Sequence, residues 1–188
     1  IGQGCFLKGS TKITYGTGAF AIMNTGKKIV KSKNKLLSTI CYKIDNKTTY
    51  ALEGSIFIAG ASIQWLRDRL KIIDNAEQTE KISMKTKKKS DIYFVPAFTG
   101  LGAPYWEPNA RGIITGITRN TDRNEIVRAA LESVVYQSVD LFNSMKDDGF
   151  NPKIVKIDGG MTQNNWFNQF LSDVSNLKIL KSHNKETT

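Results

Sequence analysis

The sequence predicts an α/β fold in which helices pack against a mixed sheet, and three observations carry that prediction. Short β-favouring runs between Gly-, Lys- and Asn-rich turns fill the first third of the chain. One long helical period runs from Thr121 towards Gly149. Strand and helix patterns then alternate to the end of the chain, the order of an α/β layer design.

The β-favouring runs are Ile13 to Tyr15, Phe20 to Asn24, Leu36 to Tyr42 and Thr49 to Leu52. In succession they predict an antiparallel meander. Ile63, Leu66, Leu70 and Ile73 then recur at helical spacing and define one apolar face, with Arg67, Asp68 and Arg69 towards water. After a lysine-rich run over Lys81 to Lys89, Ile92 to Val95 is a strand stopped by Pro96. Phe98 to Gly112 is a long loop rich in glycine, proline and aromatic residues, of the kind that tends to carry function. Ile113 to Ile117 forms the next strand. Thr121 is placed to cap the long helix, whose Ile126, Ala130, Val134 and Val127, Leu131, Val135 repeat at i+4, with Gly149 as its stop. Ile154 to Ile157 reads as a strand, Asn164 to Val174 as a helix with Phe167, Phe170, Leu171 and Val174 inward, and Lys178 to Leu180 as a last strand.

Composition narrows the function. With 188 residues and 40% hydrophobic content, the chain can close one core without a metal or disulfide staple. Two cysteines, Cys5 and Cys41, and a single His183, expected at the surface, support neither a zinc site nor a disulfide framework, so a reduced, cytoplasmic setting is expected. No run approaches the roughly 20 apolar residues of a membrane span, and no membrane partner is expected. The net charge of +10 gathers in lysine runs over Lys27 to Lys35 and Lys81 to Lys89 without interleaved aromatics, which reads as solvated surface and predicts no nucleic-acid partner.

Two glycine clusters stand out. Gly16-Thr17-Gly18-Ala19-Phe20-Ala21 satisfies G-x-G-x-x-A, but a second β-like run follows it where a dinucleotide site requires a helix. Gly26-Lys27 lacks the rest of a phosphate-binding P-loop. A Gly-Thr-Gly turn between antiparallel strands can still gather amides and a hydroxyl around phosphate oxygens, although the motif by itself reads first as a plain hairpin. Ile157-Asp158-Gly159-Gly160-Met161 runs from a buried strand through paired glycines towards a helix. That is a place where a flat ligand can approach the backbone, and equally an ordinary strand-to-helix turn.

Several segments together resemble one family. TYGTGAF, ALEGSIFIAGASIQWLRD, PAFTGLGAPYWEPNARG and IDGGMTQNNWFNQFLSD are similar to the C-terminal part of glycerol kinases, within the FGGY carbohydrate kinases. The stretch from Gly112 to Ile117, followed by Glu125-Ile126 and Ala129 to Glu132, resembles a second pattern of that family. The resemblance implies the actin-like, ribonuclease-H-like fold and transfer of the γ-phosphoryl group of ATP to glycerol with Mg2+. Related pentulose or hexulose kinases and a non-catalytic nucleotide-binding module are the alternatives.

By the same resemblance Thr17 is expected to contact the phosphates, Gly60 and Gln64 to line the nucleotide site, Gly160 and Asn164 to hold the adenosine, and Phe20 to lie against glycerol. Read without it, Gly60 and Gln64 are a packing spot and a surface amide, and Phe20 is a core residue. Trp106 and Arg111 are expected to pack rather than to touch a ligand. The resemblance also implies that residues 1–188 are a partial C-terminal domain, that the N-terminal domain and the general-base Asp lie upstream of Ile1, and that the full-length enzyme is a homo-oligomer. No catalytic residue is therefore assigned within the chain, no metal ligand either, and the chain alone is expected to be inactive.

Overall fold

The computed structural model describes residues 1–86 and 91–182. Its centre is a six-stranded sheet. The strands are β1 (Thr11–Tyr15), β2 (Ala19–Gly26), β3 (Leu37–Ile44), β4 (Lys47–Ile56), β7 (Ile154–Asp158) and β8 (Lys178–Lys181), in the spatial order β3-β4-β2-β1-β7-β8. β1 pairs antiparallel with β2 and parallel with β7, and β7 pairs parallel with β8, so the sheet is mixed as expected. Two short strands, β5 (Tyr93–Val95) and β6 (Ile113–Thr115), form a separate antiparallel pair.

The first four strands are not a simple meander. β4 lies between β2 and β3, leaving β3 at the edge. Burial explains the order: Ala51, Leu52 and Ile56 of β4 are buried, whereas Leu37, Ile40 and Ile44 of β3 stay exposed. The more apolar strand takes the interior position, where both of its edges are hydrogen-bonded.

Among the described residues four α-helices flank the sheet: α1 (Gly60–Asp68), α2 (Gln78–Lys85), α3 (Arg123–Asp147) and α4 (Asn165–Ser175). Ile63 and Leu66 of α1 are buried as predicted, but Leu70 is exposed, because α1 ends at Asp68 and the chain turns with Lys71 at φ 56 before Ile73 re-enters the core. α2 falls in the lysine-rich stretch read as solvated, and Thr79 and Ser83 are its buried positions. Residues 87–89 of that stretch lie outside the described residues, as does His183.

α3 is capped by Asp122 rather than Thr121. The Asp122 carboxylate accepts from the amides of Asn124 and Glu125, and the Glu125 side chain accepts from the Asp122 amide, a reciprocal capping box. The Thr121 hydroxyl instead accepts from the Thr118 amide. On α4, Phe167 and Leu171 are buried as predicted, while Val174 is exposed and Phe170 is only partly buried, stacked on Trp166 at 5.0 Å. The core joins Ile13, Tyr15, Ala21 and Met23 of the sheet to Val127, Val134, Leu141 and Phe167 of the helices.

Candidate functional site

Because side chains alternate along a strand, Ile13 and Tyr15 point into the core and the β1–β2 hairpin tip at Gly16-Thr17-Gly18 is left at the end of the sheet. The tip is built against the start of α1. The Gly16 carbonyl accepts from the Gly60 amide at 2.9 Å, and the Thr17 carbonyl accepts from the amides of Ala59 and Ala61 at 2.9 and 3.0 Å. Ala59 offers no side-chain cap, so the hairpin carbonyls satisfy amides that the helix start leaves without intrahelical partners. Gly60 is required by this contact, since a Cβ there would stand 2.6 Å from the Gly16 carbonyl oxygen. Three backbone hydrogen bonds thus join the turn to the helix start.

The second cluster lies one strand away. Gly159, at φ 96, passes so close to β1 that a Cβ on it would meet the Tyr15 carbonyl oxygen at 2.3 Å. Gly160 differs. Its φ is not positive and a Cβ on it would meet nothing within 4 Å, so no protein atom demands a glycine there. The chain then forms a 3-10 turn over Gly160–Gln163, and Asn164 caps α4 by accepting from the Phe167 amide at 2.9 Å.

Between these clusters opens a cleft of about 510 Å³, within the range of small-molecule and cofactor sites. Thr17, Gly60, Gln64, Gly160 and Asn164 all line it, although they come from the hairpin tip, α1 and the β7–α4 connection. Tyr15 and Leu131 also line it, and both are buried. Burial pushes the Tyr15 hydroxyl strongly up, only partly offset by its 2.9 Å bond to Ser138 Oγ, so it is a neutral structural group. Gln64 and Arg67 are exposed, and Arg67 is forked onto Asp68 at 2.6 and 2.9 Å.

Phe20 is not among the lining residues. It is 53% exposed on the face of β2 that points away from the core, opposite Thr14 and Ser55 in register, so it is neither a core residue nor part of this cleft. Trp106 packs as expected, against Phe57, with its indole donating to the Lys35 carbonyl at 2.7 Å. Arg111 donates to the carbonyls of Pro108 and Ala110.

The wall opposite the glycines was missed in the sequence. It is α2 and the turn before it, which contribute Ala76, Glu77, Thr79 and Glu80. Asn164 Nδ2 donates to Thr79 Oγ1 at 3.1 Å and Asn165 Nδ2 to Glu80 Oε1 at 3.2 Å, and these two bonds hold α2 against the start of α4. The only local signal was the spacing of Thr79, Ile82 and Ser83, a helical stripe of mostly polar residues that apolar periodicity overlooks.

A family model described as the C-terminal domain of the FGGY family of carbohydrate kinases matches residues 11–188. The chain belongs to the FGGY family of carbohydrate kinases. Over its whole length this FGGY chain is 52% identical to a glycerol kinase of Alteromonas mediterranea, and over 189 aligned residues 53% identical to one of Treponema denticola, covering 38% of each. Among solved structures, that of Plasmodium falciparum glycerol kinase with ADP superposes with a TM-score of 0.92 at 45% identity, covering 100% of this chain and 38% of that one. A xylulose kinase from Brucella ovis superposes at 0.88 with 19% identity over 99% of this chain and 38% of that one, a likeness of fold alone.

The actin-like FGGY architecture is thus the one observed. The chain spans 38% of the length of the glycerol kinases it matches. Among the described residues, no helix is long and apolar enough to cross a membrane, and no group of three or more His, Cys, Asp or Glu is arranged to hold a metal ion.

Proposed function

We propose that this chain is the nucleotide-binding C-terminal domain of a glycerol kinase, which phosphorylates glycerol to sn-glycerol 3-phosphate with ATP. The observation that carries this reading is the gathering of Thr17, Gly60, Gln64, Gly160 and Asn164 around one cleft. Within an FGGY kinase fold, and at 52% identity to glycerol kinases against 19% to a xylulose kinase structure, glycerol is the substrate favoured over a larger sugar.

The cleft fits a nucleotide on its own chemistry. Gly160 leaves a space that no protein atom fills, suited to a flat base or ribose at the backbone. Thr17 is exposed at the hairpin tip, and its amide and that of Gly18 are not taken up by backbone bonds, so the tip offers donors to phosphate oxygens. Gly60 holds that tip, and Gln64 lies one helical turn further along α1 on the same wall. Asn164 lies on the side of the base. ATP supplies the phosphoryl group, and since phosphoryl transfer depends on positioning and charge stabilisation, the task of these residues is to orient the nucleotide. Mg2+ belongs to this reading through the nucleotide phosphates, and no residue of the chain is assigned to it.

Phe20, exposed just beyond the hairpin tip, is proposed to give apolar contact to the carbon chain of glycerol. The general base, the N-terminal domain, homo-oligomeric assembly and a cytoplasmic location complete the reading of the full-length enzyme. The test is steady-state kinetics of the full-length protein and its Gly160→Val variant. The KM for ATP should rise more than that for glycerol, and an effect confined to glycerol would refute the nucleotide assignment.

A further inference from the structure

Asn164 is held by a hydrogen-bond chain whose polarity is fixed at both ends by backbone groups. At one end its carboxamide meets the Phe167 amide at 2.9 Å, which can only donate, so the atom facing it is the oxygen. At the other it meets the Thr79 hydroxyl at 3.1 Å. That hydroxyl has committed its single proton to the Ala76 carbonyl at 2.6 Å, so Thr79 Oγ1 is the acceptor and the atom facing it is nitrogen. Both ends demand the same orientation. Thr79 is 2% exposed, so water does not substitute for it freely.

A carboxamide has two N–H donors and two acceptor lone pairs, and the two bonds consume one of each. What remains on the cleft-lining Asn164 is one donor and one acceptor. Adenine offers a donor, N6–H, beside an acceptor, N7, and asparagine pairs with that edge, whereas guanine offers two acceptors there.

We propose that Thr79 is a positioning residue for nucleobase selectivity: by anchoring the Asn164 nitrogen it fixes a donor–acceptor edge that accepts adenine and disfavours guanine. The proposal rests on the nucleotide reading of the cleft. Thr79 acts through Asn164 and on the base, not on the phosphates or the reacting atoms.

The test is calorimetric titration of ADP and GDP into the full-length protein and three variants. Thr79→Val keeps the shape of the side chain and removes the hydroxyl, so ADP binding should weaken by about 3- to 10-fold, the worth of one hydrogen bond, with less change for GDP. Thr79→Ser keeps the hydroxyl and should retain the wild-type ADP-to-GDP ratio. Asn165→Ala breaks the neighbouring tether of α2 to α4 without touching the Asn164 carboxamide, and should leave the ratio alone.

A Thr79→Val ratio equal to wild type, or an equal shift in Asn165→Ala, would overturn the positioning role while leaving the nucleotide site intact. Failure of the wild-type protein to bind ADP would overturn both.

Discussion

The carbonyl oxygen of Gly16 accepts a hydrogen bond from the amide of Gly60 at 2.9 Å, and the same oxygen would stand 2.6 Å from a Cβ at position 60. One contact therefore both needs the helix start and excludes a side chain from it. Alanine in a helix is worth about 1 kcal/mol over glycine, but overpacking against backbone costs about 1–3 kcal/mol, and here the clash is with a carbonyl that cannot swing aside. Gly60→Ala should lose about 1–2 kcal/mol of stability in urea unfolding and weaken nucleotide binding as the hairpin tip shifts.

Asp122 and Glu125 make a second local test. Their capping box forms at the start of α3, and neither residue lines the cleft. Asp122→Ala should cost about 1 kcal/mol in the same unfolding measurement, with ADP affinity unchanged.

Phe20 tests the proposed division between glycerol and nucleotide contacts. At 53% exposure it contributes little to the core, so Phe20→Ala should leave the melting temperature nearly constant. In the full-length enzyme the KM for glycerol should rise while ADP affinity stays level. A drop in ADP affinity instead would place Phe20 in the nucleotide site.

Alkaline pH should destabilise the fold through two tyrosines. Burial, the hydrogen bond to Asp140 and the charge of that carboxylate push the Tyr105 hydroxyl up to about 12, and burial pushes Tyr15 higher still. Both favour the neutral form when folded, so their contribution is fully present below the unfolded value near 10 and is lost as pH rises from there through the folded values. Urea midpoints should be flat in this respect up to about pH 9 and fall beyond pH 10. Tyr105→Phe should lessen that fall, which circular dichroism titrations in the two proteins would compare.

The same contrast between local and distant determinants decides how much was legible in the sequence. α3 could be read because Val127, Leu131 and Val135 repeat at i+4, and the β1–β2 hairpin because glycines separate two alternating runs. The exchange of β3 and β4 could not, since it depends on which strand buries more apolar surface against helices far along the chain. α2 was hidden because its buried positions are Thr79 and Ser83 rather than aliphatic residues.

The site residues became visible mainly through family resemblance. Local patterns read Gly60 as a packing spot and Gly160 as part of a strand-to-helix turn, and the fold shows how they differ: one is excluded from bearing a side chain by the Gly16 carbonyl, the other faces open space. Thr79 gave only the faint signal of a mostly polar helical stripe, since its bond to Asn164, 85 residues away in sequence, exists only once α2 meets α4.

By the same resemblance, the chain expressed alone should not turn over glycerol. A positioned general base is worth roughly 10² to 10⁴ in rate, and orientation of the two substrates roughly 7–11 kcal/mol of barrier, and both are assigned to the upstream part of the enzyme. A coupled ADP-release assay on residues 1–188 should stay at background. Glycerol-dependent turnover at the rate of the full-length enzyme would show that the general base lies within the chain.

Calorimetric titration of ADP into the full-length protein and its Gly160→Val variant probes the cleft most directly, because position 160 has open space around it and the fold should tolerate the change. The expected result is saturable binding to the wild type, binding at least about tenfold weaker in the variant, a loss of about 1.4 kcal/mol, and equal melting temperatures. Equal ADP affinity in the two proteins, or no ADP binding by the wild type, would contradict the assignment of this cleft to the nucleotide.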